Sequence, residues 1–105
     1  MTSLLPMDKQ ILNIASELCR AKKWLMENNE PLVKSSLERA YDLVDLTVVS
    51  ACEKGRHHLS RELLRMREFL GEFYCGYEKD AGTFLLSTKN LLDLTPSTHE
   101  LHLEL

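Results

Sequence analysis

The chain has 105 residues, of which 44% are apolar and 28% are charged, values typical of a globular domain rather than a disordered chain. Glycine and proline are scarce, with 4 and 3 residues, which favours helices over a strand-rich fold. The formal net charge of −3 argues against a globally basic nucleic-acid-binding protein but leaves a local basic patch open.

The first predicted helix covers residues 7–28. Pro6 suits a helix start, because the N–H that proline lacks would be unpaired there anyway. Apolar residues recur every three or four positions and form one stripe, which consists of Ile11, Ile14, Leu18, Ala21 and Leu25. Asn28 and Asn29 then break the pattern, since asparagine tolerates the left-handed conformation that ends helices.

The second predicted helix covers residues 31–54 and ends at Gly55. Its main stripe is Val33, Leu37, Ala40, Val44, Val48 and Ala51, and it is widened by Leu32, Leu43, Leu46, Tyr41 and Cys52. The apolar arc therefore covers more than half of the helix circumference. A helix of this kind is predicted either to lie at the centre of the fold or to contact a second subunit as well.

The third predicted helix covers residues 56–77, with Leu59, Leu63, Met66, Leu70, Phe73 and Tyr77 on one face. The short link at Gly55 predicts an antiparallel hairpin between the second and third helices. Helices two and three could instead form one bent helix.

Residues 83–105 are predicted to be a C-terminal extension of a helical core that occupies residues 1–82. A short helix is compatible with residues 83–94 and would end before Pro96. Leu101, Leu103 and Leu105 alternate with polar residues, which is a strand period, although Ser97 and Glu100 also fit a helix capping box. The sequence thus predicts an all-α, three- or four-helix antiparallel bundle with an irregular or short-strand extension.

A cytoplasmic location is expected. No apolar run approaches the ~20 residues that span a bilayer, and the first residues lack the basic start and apolar stretch of a secretory signal. Cys19, Cys52 and Cys75 are odd in number and contain no CxxC pair. We therefore expect them to be small buried core residues rather than a metal or redox site.

Several apolar residues are candidates for an interface. Trp24 lies to one side of the first helical stripe, so it either closes the edge of the core or anchors a partner. Leu43 and Leu46 are open to the same two interpretations. The leucines at 101, 103 and 105 could add a strand to a partner or a second copy, or could pack along the bundle.

A basic cluster lies where the second and third helices join, and consists of Arg56, His57, His58, Arg61 and Arg65. Positive side chains at the start of a helix oppose its dipole, an arrangement that can mark an anion or nucleic-acid contact. The alternative is a solvated helix end whose charges pair with Glu62, Glu68 and Glu72.

Patterns that carry catalysis are weak. Glu53 and His57 are four residues apart, as are His58 and Glu62. His99 and His102 are three residues apart, whereas the histidines of the HExxH zinc motif are four apart. The sequence contains no GxSxG motif and no glycine-rich phosphate loop. We predict no enzyme activity, no metal site and no cofactor.

The segment from His58 to Met66, continuing through Phe69-Leu70-Gly71, resembles the last helix of small four-helix-bundle proteins encoded in ribosomal-RNA intervening sequences. The likeness covers less than one helix and consists mostly of core spacing. It implies a helical bundle and leaves room for oligomerisation and for a link to nucleic acid.

The leading functional hypothesis is a non-enzymatic oligomerisation or adaptor module that works through protein–protein contacts, as a homo-oligomer such as a dimer or with another protein. The alternative is a nucleic-acid-binding bundle that uses the basic cluster. A metal-binding bundle enzyme ranks third.

Overall fold

The computed structural model describes residues 6–75 and 81–94, and this part of the chain forms four helices. They are α1 (Pro6–Met26), α2 (Glu30–Glu53), α3 (His57–Tyr74) and α4 (Ala81–Leu92). The prediction of an all-α helical bundle is confirmed, and α2 and α3 are separate helices rather than one bent helix. The alternating residues 101–105 lie outside the described part of the chain.

The helix ends follow from local backbone chemistry. Asn28 adopts a φ of 56°, and the side-chain oxygen of Asn29 accepts a hydrogen bond from the Leu32 N–H at 3.3 Å, which caps the start of α2. Gly55 adopts a φ of 70°, a conformation that side chains disfavour, and the Arg56 N–H then donates to the carbonyl oxygen of Ala51 at 2.8 Å. The two tight links make consecutive helices antiparallel neighbours.

The apolar stripes of all four helices meet in one core. Helix α2 packs between α1 and α3, and α1 also packs against α4, whereas α3 and α4 touch only lightly. The wide apolar arc of α2 thus serves a central position in the bundle. The largest fully buried apolar side chains are Ile11, Ile14, Leu18, Leu37, Val44, Leu63, Leu70 and Leu91.

A nearly buried carboxylate ties α1 to α2. The Glu17 side chain is 10% exposed and accepts hydrogen bonds from Arg20 at 2.6 Å and from Arg39 at 3.1 Å. Two cationic donors offset the cost of removing this carboxylate from water. Two to three helical turns away, Gln10 donates to the Ser50 hydroxyl at 3.3 Å and fixes the same register.

Polar contacts also set the register of α2 against α3. Arg67 Nε donates to Asp45 at 2.9 Å, and the Tyr74 hydroxyl donates to Glu38 at 2.8 Å. The rings of Tyr41 and Tyr74 meet edge to face with centroids 6.0 Å apart. These contacts show which residues of α2 and α3 lie side by side, at the same level along the bundle axis.

Two leucines of α2 provide a matched test of this core. Leu37→Ala is expected to lower the free energy of unfolding by about 2–5 kcal/mol, because Leu37 is completely buried and its truncation leaves a cavity. Leu46→Ala, at a position that is 62% exposed, is expected to change it by less than about 0.5 kcal/mol in the monomer. Urea unfolding at low protein concentration measures both values, and similar costs for the two variants would contradict this packing.

Candidate protein-interaction surface

The residues predicted to form an interface fall into different environments. Trp24 and Leu43 are partly buried and pack against the core, and the Lys23 ammonium lies 5.0 Å from the centroid of the Trp24 ring. Leu46 instead points into solvent, with 62% of its surface exposed. Residues 101, 103 and 105 lie outside the part of the chain that the structure describes. Of the described candidates, Leu46 is therefore the one available to a partner.

The structure adds two exposed aliphatic side chains that the sequence did not single out. Val49 on α2 is 55% exposed and lies three residues after Leu46, so the two share one helix face. Leu64 on α3 is 46% exposed. In the sequence each of them directly follows a stripe residue, Val48 or Leu63. A helical wheel assigns such a position to the edge of the core.

Cross-helix contacts place these three side chains on one surface. Asp45 contacts Arg67 on one side of them, and Cys52 Sγ lies 3.3 Å from Ser60 Oγ on the other. Between these two contacts, Val49 and Leu64 stand at the same level on adjacent helices. We call the exposed surface formed by Leu46, Val49 and Leu64 the outer face.

Charged residues surround the outer face. On α2 the exposed acidic residues along this surface include Glu38, Asp42, Asp45 and Glu53. Of these, Asp45 is held by Arg67, whose guanidinium also lies 4.9 Å from the centroid of the Tyr41 ring. On α3, Arg61, Glu68 and Glu72 are exposed, and so are Arg65 and Arg67, which pair with Glu62 and Asp45. The outer face is thus an apolar patch with a charged rim, the usual anatomy of a protein–protein interface.

The tyrosines at the far end of this surface favour their neutral forms. The hydrogen bond and charge of Glu38 raise the pKa of Tyr74 above its ordinary value. Burial raises the pKa of Tyr41, and the nearby Arg67 guanidinium opposes this in part. Both rings therefore act as neutral packing and hydrogen-bonding groups near neutral pH.

The predicted basic cluster is exposed at one end of the bundle. Arg56, His57, His58 and Arg61 make no ion pair with any residue in 6–75 or 81–94. The α3 N-terminus has no acidic residue in its first turn and no side-chain cap. Arg65 differs, since it donates to Glu62 at 2.9 Å and faces the groove between α3 and α4.

That groove follows from the light contact between α3 and α4. It has a volume of about 260 Å³, and its apolar walls are formed by Met66, Phe69, Leu86, Leu91 and Leu94. The paired Glu62 and Arg65 line it as well. It is an open apolar cleft rather than an enclosed site, and the two charged side chains at its wall pair with one another.

The cysteine prediction was wrong. Cys19, Cys52 and Cys75 are all exposed free thiols, because Cys19 and Cys52 lie beside the buried stripes of their helices and Cys75 follows the last residue of α3. Within the described residues, no three His, Cys, Asp or Glu side chains come together in a way that could hold a metal ion. Among those same residues, none of the helices combines the length and the apolar character that crossing a membrane requires.

Thiol labelling checks the exposure of the cysteines. We expect iodoacetamide to add to all three thiols of the folded protein, because exposed cysteine needs no unfolding to react. Intact mass before and after labelling gives the number of adducts, and labelling in urea is the control. If a thiol reacted only in urea, its position in the structure would be incorrect.

Comparison of the chain with protein-family models, with curated proteins and with solved structures finds no match. The likeness of residues 58–71 to intervening-sequence bundle proteins therefore stays confined to one helix. What the protein does follows only from the chemistry and geometry of its surfaces.

Proposed function

We propose that this protein is a non-enzymatic interaction module, an oligomerisation or adaptor bundle that binds protein through its outer face. The observation that carries the proposal is the exposure of Leu46, Val49 and Leu64 next to one another on two adjacent helices. Single exposed aliphatic residues are common on soluble proteins, but a cluster with a charged rim is typical of a binding surface.

The energetics favour a partner over bare solvent. Full burial of a leucine or valine side chain contributes about 1.5–3 kcal/mol relative to exposure. Three such side chains on rigid helices offer this gain with little ordering cost, since the bundle core already holds their backbones. The proposed interaction takes place in the cytoplasm.

Site-specific photo-crosslinking tests the proposal. A photoreactive benzoyl-phenylalanine at Val49 is expected to form covalent adducts with protein in the producing cells, whether the partner is a second copy or another chain. The matched control is the same residue at Ser16, an exposed position of α1. Adding Leu46→Lys should remove the Val49 adduct, since it inserts a charge into the apolar patch. Equal yields of crosslinked adducts at Val49 and Ser16 would contradict the proposal.

The basic cluster supports a second candidate, nucleic-acid binding. Its favouring observation is that Arg56, His57, His58 and Arg61 are exposed together and make no ion pair within the described chain. Cations that have no internal partner can bind phosphate groups and release their counterions.

A salt titration with labelled RNA and DNA oligonucleotides tests this candidate. If it holds, affinity falls steeply as salt increases, and Arg61→Glu combined with Arg65→Glu abolishes binding. The control, Lys23→Glu with Lys34→Glu, makes the same charge change at the opposite end of the bundle and should have a much smaller effect. Absence of binding at low ionic strength would eliminate the candidate.

A further inference from the structure

The outward charges of α3 are separated along the helix. His57 and Arg61 lie in its N-terminal half, Glu68 and Glu72 lie in its C-terminal half, and Leu64 lies between the two groups. All five side chains are exposed, and the four polar ones form no ion pair with any other described residue.

This separation is unfavourable within a single chain. The helix dipole acts mainly on the terminal turns, and the carboxylate of Glu72 in the last turn of α3 opposes it. Glu68 and Glu72 also repel each other, because residues four apart are neighbours on a helix surface. Arg65, which could have paired with Glu68, is engaged by Glu62. The charges of this surface are therefore arranged for a partner rather than for the helix that carries them.

We infer that the partner of the outer face is a second copy of this chain, bound through a twofold axis that sets the two α3 helices antiparallel. This inference rests on the proposed function. A twofold axis requires a self-complementary surface, on which each contact occurs twice. An axis midway between Arg61 and Glu68 also lies midway between His57 and Glu72. It brings Arg61 against Glu68 of the partner subunit and His57 against Glu72 of the partner subunit.

The apolar residues fit the same axis. Leu64 lies beside it, so the two copies of Leu64 meet near the centre of the interface. On α2, the contacts of Asp45 with Arg67 and of Cys52 with Ser60 place the axis between Leu46 and Val49, which therefore flank it on either side. Apolar groups at the centre and opposite charges towards the ends are the arrangement expected of a homodimer interface.

The remaining charges largely agree with this arrangement. Glu38 and Asp42 lie beyond one end of the outer face, and Lys54 and Arg56 lie beyond the other. The twofold axis brings the first end opposite the second end of the other copy. Glu53 lies at the same end as Lys54 and Arg56 and faces Asp42 of the partner subunit. The two cations exceed this single negative charge.

The size of the surface predicts a weak dimer. Helix α3 has 18 residues and so is about 27 Å long, and two helices side by side are roughly 20 Å wide. The contact would bury on the order of 1,000 Å² in total, which is below the standard size for stable complexes. We therefore expect a reversible dimer whose population depends on protein concentration.

Charge reversal tests the arrangement by sedimentation velocity over a range of concentrations. Arg61→Glu or Glu68→Arg alone should weaken dimerisation by at least about tenfold, since each places two like-charged pairs across the axis. The double variant carrying both changes should restore it. Lys23→Glu is the matched control, because it makes the same charge change at an exposed position of α1, outside the α2–α3 surface, and should leave dimerisation unchanged.

The possible outcomes separate this inference from the proposed function. A wild-type monomer at all concentrations, a dimer that tolerates both single reversals, or a double variant that stays monomeric would each overturn the antiparallel dimer. If the Val49 crosslink then joined the chain to a different protein, the proposed interaction surface would still stand. If Val49 and Ser16 crosslinked equally, the interaction surface itself would fail.

Discussion

Burial of the α2 stripe against two neighbours at once is the constraint on which the rest of the bundle depends. Val33, Leu37, Ala40, Val44 and Ala51 are almost completely removed from water, and they are covered by α1 on one side and α3 on the other. Once α2 occupies the centre, α1 and α3 can bury their own stripes only by turning them towards it. Helix α4 then covers the remaining side of α1. The hydrophobic effect thus decides the layout, and the short links at Asn28 and Gly55 decide the direction of the helices.

The charged residues fall into two groups with different roles. One group joins neighbouring helices and sets their register, as Glu17 with Arg39 and Asp45 with Arg67 do. The other group, which includes Arg61, Glu68 and Glu72, remains outside these contacts, and Glu72 opposes the dipole of α3 from its last turn. The first group accounts for why the bundle has one register. The second group sets the charge pattern that the proposed partner of the outer face would have to match.

The candidate surface was only partly visible in the sequence. Leu46 was recognised because it widened the α2 stripe, but Trp24 and Leu43, open to the same interpretation, pack against the core. Val49 and Leu64 were missed because each follows a stripe residue and resembles the edge of a buried arc. A helical wheel gives the angle of a side chain on its own helix, but not whether a neighbouring helix covers that angle. The cysteine prediction failed for the same reason.

The sequence by itself determined three of the helices, their approximate ends and most of the residues that face the core, and it left a fourth helix at residues 83–94 as one possibility. These properties depend on local periodicity, on asparagine and glycine at the links, and on proline near the helix starts, all of which act over a few residues. Only the tertiary structure decided that α3 and α4 separate to form a groove, that Glu17 binds an arginine on another helix, and that the thiols are exposed. The tertiary structure also placed Val49 and Leu64 at the same level on two adjacent helices. Those features depend on which helix lies beside which, and that choice is made by packing the whole core.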